Sequence, residues 1–220
     1  MKRTRVKNLP DVDESTLIYA VLHGKDTSAR CAALKKIVNV EPIVDDLLHD
    51  EDSLVRLALI EKIGIGEADT LAKIALLDED RYIRCAALAK IKDIKLLIEI
   101  ALHDKDDEVR SAAAERYEQI DKHDRSRAVE RACDAKALVY IAMRDEDAFI
   151  REGAVKKIDD AEALIEVALH DKDRNVRCVA VRRIHQVSGT EALVEVMQQT
   201  DDNHIRKLAR KLVSENGFAV

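Results

Sequence analysis

Apolar residues recur along this chain in short blocks that come in pairs. In residues 160–184, DAEALIEVALHDKDRNVRCVAVRRI, one apolar run ends at His170-Asp171 and a second begins after Asp173. Within each run the apolar residues lie three or four positions apart, as they do on one face of an α-helix. The pattern predicts two helices joined by a tight acidic turn, and most of the chain repeats it.

An arginine early in the second helix of each pair marks the register. Successive register arginines are 26, 28, 26, 41, 26 and 29 residues apart. In all seven copies an aspartate lies four residues before the arginine, and Ala, Val or Ile lies directly before it. A period in the twenties is typical of stacked helix pairs that share one continuous core. We therefore predict an all-α fold, an α-solenoid of about seven antiparallel helix pairs.

The register aspartates and arginines have structural roles in this interpretation. An aspartate at the start of a helix accepts hydrogen bonds from free backbone N–H groups. The arginine lies on the apolar side of its helix, and a buried guanidinium must be paired. We expect a ladder in which each arginine bonds an aspartate of its own or the adjacent repeat. The predicted ladder consists of Asp26, Arg30, Asp52, Arg56, Asp80, Arg84, Asp106, Arg110, Asp147, Arg151, Asp173, Arg177, Asp202 and Arg206.

The repeats set the expected domain organisation. We predict a flexible basic N-terminal arm over residues 1–13, one repeat solenoid over 14–213 and a C-terminal tail over 214–220. The 41-residue interval contains an insertion within residues 118–135. Two interpretations stay open: an extra short helix at about 124–133 on the convex side, or an N-terminal extension of the following helix.

The turn pattern D-x-D-x-x-[VI]-R-x-x-A, present as DEDRYIRCAA at residues 78–87, resembles the HEAT repeat. The short copies resemble the HEAT-like subfamily named after phycobilin lyases, over about residues 14–213. The resemblance implies antiparallel helix pairs stacked into a right-handed superhelix. It implies a binding function only in general terms, because members of the family have many different functions.

The predicted concave face of the second helices is the candidate partner-binding surface. The residue two positions after the register arginine is small in most copies, so that the second helices can crowd together on this side. Leu54, Tyr82 and Phe149 point to the same side, with Leu57 and Cys85 nearby, and exposed aromatic residues are typical interface anchors. The alternative is that these side chains lean sideways into neighbouring helices.

A row of cations follows the register arginine by six positions and forms a predicted basic edge. A cation near the C-terminus of a helix compensates its partial negative charge. The same row could serve as a track for phosphate or an acidic partner. The net charge of −6 argues against nucleic acid as the main partner. The basic edge consists of Lys36, Lys62, Lys90, Arg116, Lys157 and Arg183.

The cysteines and the hydropathy indicate a cytoplasmic protein. The four cysteines are at least 45 residues apart and form no C-x-x-C motif, which predicts neither disulfides nor a zinc site. No apolar run approaches the length of a transmembrane helix. We therefore expect a cytoplasmic monomer that has no membrane partner.

The candidate chemistry is sparse. His-Asp dipeptides at residues 49–50, 103–104 and 170–171 suggest metal ligands, but they occupy one repeat position about a helix diameter apart, too far to share an ion. We expect no metal, no cofactor and no catalytic residue. The preferred function is a non-catalytic scaffold that binds a protein or peptide segment on the concave face. The alternatives are a nucleic-acid-binding protein that uses the basic edge, and a phycobilin-lyase-like enzyme, which rests on the resemblance alone.

Overall fold

The computed structural model describes residues 13–64, 67–132 and 134–215, and all regular structure in these ranges is helical, which confirms the all-α fold. Residues 1–12 of the predicted arm, Cys133 in the predicted insertion and residues 216–220 of the predicted tail lie outside the described residues. A 3-10 helix, Glu41–Ile43, precedes the third α-helix. The α-helices are α1 (Glu14–His23), α2 (Thr27–Lys36), α3 (Val44–Leu48), α4 (Ser53–Lys62), α5 (Ala68–Leu77), α6 (Arg81–Leu88), α7 (Ile94–His103), α8 (Asp107–Glu118), α9 (Lys122–Arg131), α10 (Ala135–Arg144), α11 (Ala148–Val155), α12 (Ala161–His170), α13 (Arg174–Val187), α14 (Thr190–Gln199) and α15 (Asn203–Glu215).

The described residues form two compact units. The first contains the described residues up to Lys92 together with Ile100–Ala113, and the second contains Asp93–Glu99 and the described residues from Ala114 onward. In the first unit, α1 contacts α2, α3 contacts α4 and α5 contacts α6. In the second, the corresponding pairs are α10 with α11, α12 with α13 and α14 with α15. We refer to the helix before each acidic turn as the first helix of a repeat and to the helix after it as the second.

Second helices also contact the second helices of neighbouring repeats. In the first unit α4 contacts both α2 and α6. In the second unit α11 contacts α9 and α13, and α13 contacts α15. The residues three and seven positions after the register arginine are buried in all seven copies, as in Leu59 and Ile63 of α4. The apolar stripe predicted from the sequence therefore forms the core between these helices.

Aspartate side chains cap the N-termini of many of the helices. Asp26 accepts a hydrogen bond from the Ala29 N–H at 2.8 Å, and Asp80 accepts one from the Tyr82 N–H at 2.8 Å. Each satisfies a backbone donor that the first turn leaves free, which stabilises a helix by about 0.5–2 kcal/mol relative to alanine. Gly24 follows the end of α1, and a Cβ at this position would collide with the Ala20 carbonyl oxygen.

Candidate functional site

The register arginines connect consecutive repeats. Nε and Nη2 of Arg56 donate to the two carboxylate oxygens of Asp78 at 2.8 and 3.0 Å, and Nη1 donates to the Asp50 carbonyl oxygen at 2.6 Å. Arg84 and Arg151 form the same two-pronged contact with an aspartate of the following repeat. The side chain of Arg84 is only 1% exposed, so its charge is compensated inside the protein by this carboxylate.

The acid partner of most of these arginines is not the aspartate that the sequence predicts. It lies two residues earlier in the turn, six residues before the register arginine of its own repeat. The Asp78 carboxylate binds Arg56 of the preceding repeat and also accepts the Asp80 N–H at 2.9 Å. The carboxylate of Asp80 faces its own helix, whose Tyr82 N–H it accepts, and is therefore not the main partner of the arginine.

In the turns that have both aspartates, the two side chains therefore have different roles. The first holds the arginine of the preceding repeat, and the second begins the following helix. Of the predicted ladder acids, the following accept N–H groups from the first turn of the next helix: Asp26, Asp52, Asp80, Asp147, Asp173 and Asp202. Asp106 lies 3.7 Å from Arg84 Nη2 as a second, more exposed acid. The observed pairs are Arg30–Asp50, Arg56–Asp78, Arg84–Asp104, Arg125–Asp145 and Arg151–Asp171.

The last repeat departs from this arrangement. Thr200 occupies the position at which the other acceptor repeats have the paired aspartate. Arg177 therefore donates through Nη2 alone to Asp202, at 2.7 Å, and its buried Nε has no hydrogen-bond partner among the described residues. The hydrogen bond from Arg177, followed by the N–H of His204, holds the pKa of Asp202 well below its usual range.

Two register arginines form no ion pair with an aspartate of a following repeat among the described residues. Arg110 forms an ion pair with Asp107 on its own helix and donates to the Asp104 carbonyl oxygen at 2.7 Å. Arg206, in the final helix, donates to Asn203 Oδ1 at 2.8 Å and to the carbonyl oxygen of Met197 at 3.3 Å.

The predicted insertion contains an additional register arginine. Its helix α9 is separate from α10, so the insertion is an extra helix and not an extension of the next one. Arg125 lies 26 residues before Arg151, and Asp121, four residues before it, caps α9. Arg125 Nε donates to Asp145 at 3.1 Å. We therefore assign α9 as a second helix in register with the other repeats but without a first helix before it.

The sequence concealed this register because Asp124 stands directly before Arg125, where the other copies have Ala, Val or Ile. The 26-residue spacing to Arg151 was the signal that could have revealed it. In the other repeats the residue directly before the arginine is mostly buried, whereas Asp124 is exposed. A polar residue at this position is consistent with a second helix that has no first helix to cover it.

Buried polar groups collect around the end of α8. Tyr117 stands where other repeats have Ile or Val, and its hydroxyl donates to Asp145 at 2.6 Å. Arg125 lies 5.7 Å from the centre of the Tyr117 ring. The Oε2 atom of Glu118 is buried without a hydrogen-bond partner among the described residues, 3.7 Å from Arg125 Nη2. Loss of hydration, followed by the neighbouring Asp145, raises the pKa of both Tyr117 and Glu118.

The predicted partner-binding residues lie at the starts of second helices. Leu54 on α4 and Tyr82 on α6 are 58% and 65% exposed and belong to the first unit. Phe149 on α11, in the second unit, is 68% exposed. Leu57 and Cys85, one turn further along their helices, are half-buried. More than half of each of the first three side chains is accessible to solvent, so these side chains are not enclosed between helices.

The ring of Tyr82 is flanked by a cation. The Arg81 guanidinium lies 5.0 Å from the ring centre, and its Nη2 donates to the Tyr82 hydroxyl at 3.1 Å. Arg81 Nε also lies 3.3 Å from Glu108. These contacts restrict the motion of the exposed Tyr82 ring.

The predicted basic edge contacts backbone carbonyl groups. Lys90 Nζ donates to the carbonyl oxygens of Ile60, Glu61 and Ile63 at 2.6, 3.1 and 2.9 Å, at the end of the preceding second helix. Lys157 does the same at the end of α9. The compensated helix end thus belongs to the preceding repeat, whereas the sequence predicted the cation's own helix.

The remaining cations of the basic edge are more varied. Lys62 donates to the Lys35 carbonyl oxygen at 3.0 Å, and Arg183 donates to that of Ile158 at 2.9 Å. Arg116 donates to Gln119 at 3.4 Å, and Lys36 is exposed. Because most of these cations satisfy carbonyl groups at helix ends, the edge has a structural role.

Other candidate chemistry receives little support from the geometry. Burial is the main cause that raises the pKa values of the Cys31, Cys85 and Cys178 thiols, which makes these thiols less reactive. Within the described ranges, no three His, Cys, Asp or Glu side chains are arranged to hold a metal ion. No helix in the same ranges is both long and apolar enough to span a bilayer.

Comparison of the chain with protein-family models, with curated proteins and with solved structures returns no match.

Proposed function

We propose that the chain is a HEAT-like α-solenoid that acts as a monomeric, cytoplasmic and non-catalytic scaffold. In this proposal the partner is a protein or peptide segment, held on the concave face formed by the second helices. The observation that carries the proposal is the exposure of Leu54, Tyr82 and Phe149 at the starts of second helices. Large apolar side chains in such positions are typical anchors of protein interfaces.

The contacts of the repeats support the same proposal. Second helices touch second helices within each unit, and buried arginine–aspartate pairs connect their repeats. Such contacts present the first turns of successive second helices side by side, where a bound segment can touch several repeats. The basic edge offers less for a nucleic acid, because Lys62, Lys90 and Lys157 already bind backbone carbonyl oxygens.

Partner capture followed by quantitative binding tests the proposal. Proteins retained from the native cell by the wild-type chain are identified, and their affinities for purified variants are then measured. The variant Tyr82→Asp/Phe149→Asp is expected to lose at least tenfold in affinity, since anchor residues each contribute about 2 kcal/mol or more. Circular dichroism checks that this double variant, and the control described next, fold like the wild-type protein.

The matched control replaces two other exposed apolar residues, one in each unit. Val38 and Met143 lie away from the starts of second helices and are also exposed. The variant Val38→Asp/Met143→Asp is expected to bind normally. Equal affinity of the wild-type protein and Tyr82→Asp/Phe149→Asp would rule out this surface.

A further inference from the structure

A cleft of about 350 Å³ opens in the first unit, between the turn after α3 and the turn after α5. Its volume is within the range of cavities that hold small ligands or single side chains. The cleft lies outside the candidate partner-binding residues, which do not line it. A ligand in the cleft would rest on the proposed function only in belonging to a partner segment, and it would bind away from Leu54, Tyr82 and Phe149.

One wall of the cleft is aliphatic, and of its residues Ile74 is buried whereas Leu77 is open to solvent. Leu48, Ile74 and Leu77 line it, and Leu77 is 79% exposed. At the same repeat position, seven residues before the register arginine, the other copies have polar residues, such as His49 and His103. Leu77 is therefore an apolar exception, and its exposure costs free energy unless a ligand covers it.

The polar lining of the cleft carries an excess of negative charge. Four carboxylates line it together with two cations, Arg56 and Lys73. Asp50 is paired with Arg30, which lies outside the lining, so the excess comes from Glu51 and Glu79 against Lys73. Arg56 is already neutralised by Asp78, through hydrogen bonds at 2.8 and 3.0 Å. Glu51 and Glu79 are exposed, so their carboxylates can reach a ligand. The helix α5 also ends at the cleft, and the partial negative charge of its C-terminus adds to the negative charge of the lining.

We infer that this cleft binds an arginine side chain of a partner segment. The methylene stem of the arginine would cover Leu77 and Ile74, and its guanidinium would reach the carboxylates of Glu51 and Glu79. Long cationic side chains commonly bury the stem on apolar surface while the charged head stays in water. A guanidinium also matches the planar geometry of a carboxylate better than an ammonium group does. An anionic ligand would meet the excess of carboxylates and is disfavoured.

Nuclear magnetic resonance titration with N-acetyl-arginine amide tests the inference. Saturable shifts are expected for the methyl groups of Leu48, Ile74 and Leu77, and they yield a dissociation constant. N-acetyl-citrulline amide has nearly the same shape but no charge, and it is expected to bind at least about threefold more weakly, the loss of one or two exposed ion pairs.

Two variants move the affinity in opposite directions, so a folding defect cannot imitate the result. Glu51→Gln/Glu79→Gln is expected to weaken N-acetyl-arginine amide binding about three- to tenfold. Lys73→Met removes the cation that opposes the ligand and is expected to tighten binding about two- to fivefold. Glu130→Gln/Glu162→Gln, which removes the same charge from exposed positions in the second unit, is expected to change nothing.

Several outcomes would overturn the inference. One is the absence of saturable shifts at the three methyl-bearing residues. Another is equal affinity for the citrulline compound, since the carboxylates would then have no role. A third is weaker binding to Lys73→Met than to the wild-type protein.

Discussion

The hydroxyl of Tyr117 donates a 2.6 Å hydrogen bond to Asp145, and both side chains are buried. Asp145 is also the acid partner of Arg125, in the helix that the insertion adds. The tyrosine therefore replaces an aliphatic residue of the repeat where an additional donor can reach the buried carboxylate. Asp145 thus receives one donor from α8 and one from the extra helix α9, and both helices are fixed to the following repeat by the same acid.

Tyr117→Phe is expected to lower the free energy of unfolding by about 1.5–3 kcal/mol, because a buried carboxylate loses a hydrogen-bond donor. Urea denaturation measures the change. The raised pKa of Tyr117 keeps its hydroxyl protonated, so this contribution is fully present below the ordinary tyrosine pKa of about 10 and is lost only as the pH rises beyond the raised value. The loss should therefore be constant between about pH 6 and 9.

Tyr140→Phe is the matched control for this prediction. The Tyr140 ring packs edge-on against Tyr117, with 5.9 Å between the ring centres, and its side chain is half-buried. Its loss of stability should be less than half that of Tyr117→Phe. Equal losses in the two variants would show that removal of either hydroxyl has the same effect, and that the hydrogen bond to Asp145 is not responsible.

Glu118→Gln is expected to stabilise the protein at pH 7, by less than about 1 kcal/mol because the side chain is partly exposed. The raised pKa of Glu118 means that the folded state binds a proton more readily than the unfolded state. The stability that this proton provides is present below the ordinary glutamate pKa of about 4.3 and is lost as the pH rises through the raised value.

The gain from Glu118→Gln should accordingly shrink toward pH 4, where Glu118 is mostly protonated in both states. Urea denaturation at pH 4 and pH 7 measures this dependence. Glu115→Gln, which changes an exposed residue on the same helix, is the matched control and should not stabilise the protein at pH 7. A destabilised Glu118→Gln variant at pH 7 would contradict the interpretation.

Thr200→Asp is expected to stabilise the second unit by about 1.5 kcal/mol, the lower end of the range for hydrogen bonds to charged groups. The new carboxylate would supply the missing acceptor for Arg177 Nε, as the equivalent aspartates do for Arg56, Arg84 and Arg151. Thermal unfolding measures the effect. Thr200→Asn offers one acceptor oxygen without the charge and should gain less; a loss of stability in Thr200→Asp would contradict the repeat rule.

Lys90→Met is expected to lower the free energy of unfolding by about 1–2 kcal/mol, since three carbonyl groups lose their donor. Lys36→Met changes the exposed member of the same basic edge and should have little effect. Chemical denaturation of both variants shows whether Lys90 stabilises the fold or, like Lys36, only faces solvent. Unchanged stability of Lys90→Met would reopen the phosphate-track interpretation.

The helices and their register follow from the sequence because burial repeats at fixed positions, as at Leu59 and Ile63. The aspartate that holds each arginine does not follow from it. Asp78 and Asp80 are two residues apart, and only the direction of the turn decides which carboxylate faces Arg56 and which faces the helix. Side-chain direction in a turn depends on its three-dimensional course, which repeat spacing does not specify.

The candidate site was predictable to a similar extent. The sequence placed Tyr82 and Phe149 away from the apolar stripe, and both are exposed. It did not reveal the cleft beside Leu77, because a cleft arises between residues of successive repeats. The register of Arg125 was hidden for another reason. Directly before the arginine its helix has Asp124, where second helices that pack on a first helix have Ala, Val or Ile.

The most direct test of the arginine–aspartate ladder is a pair of double-mutant cycles measured by urea denaturation. The first cycle combines Arg56→Met with Asp78→Asn, and the second combines Arg56→Met with Asp80→Asn. The structure predicts a coupling energy of about 2 kcal/mol for the first pair and less than about 1 kcal/mol for the second, because residues couple strongly only where they are in contact. A coupling to Asp80 that equals or exceeds the coupling to Asp78 would contradict the account.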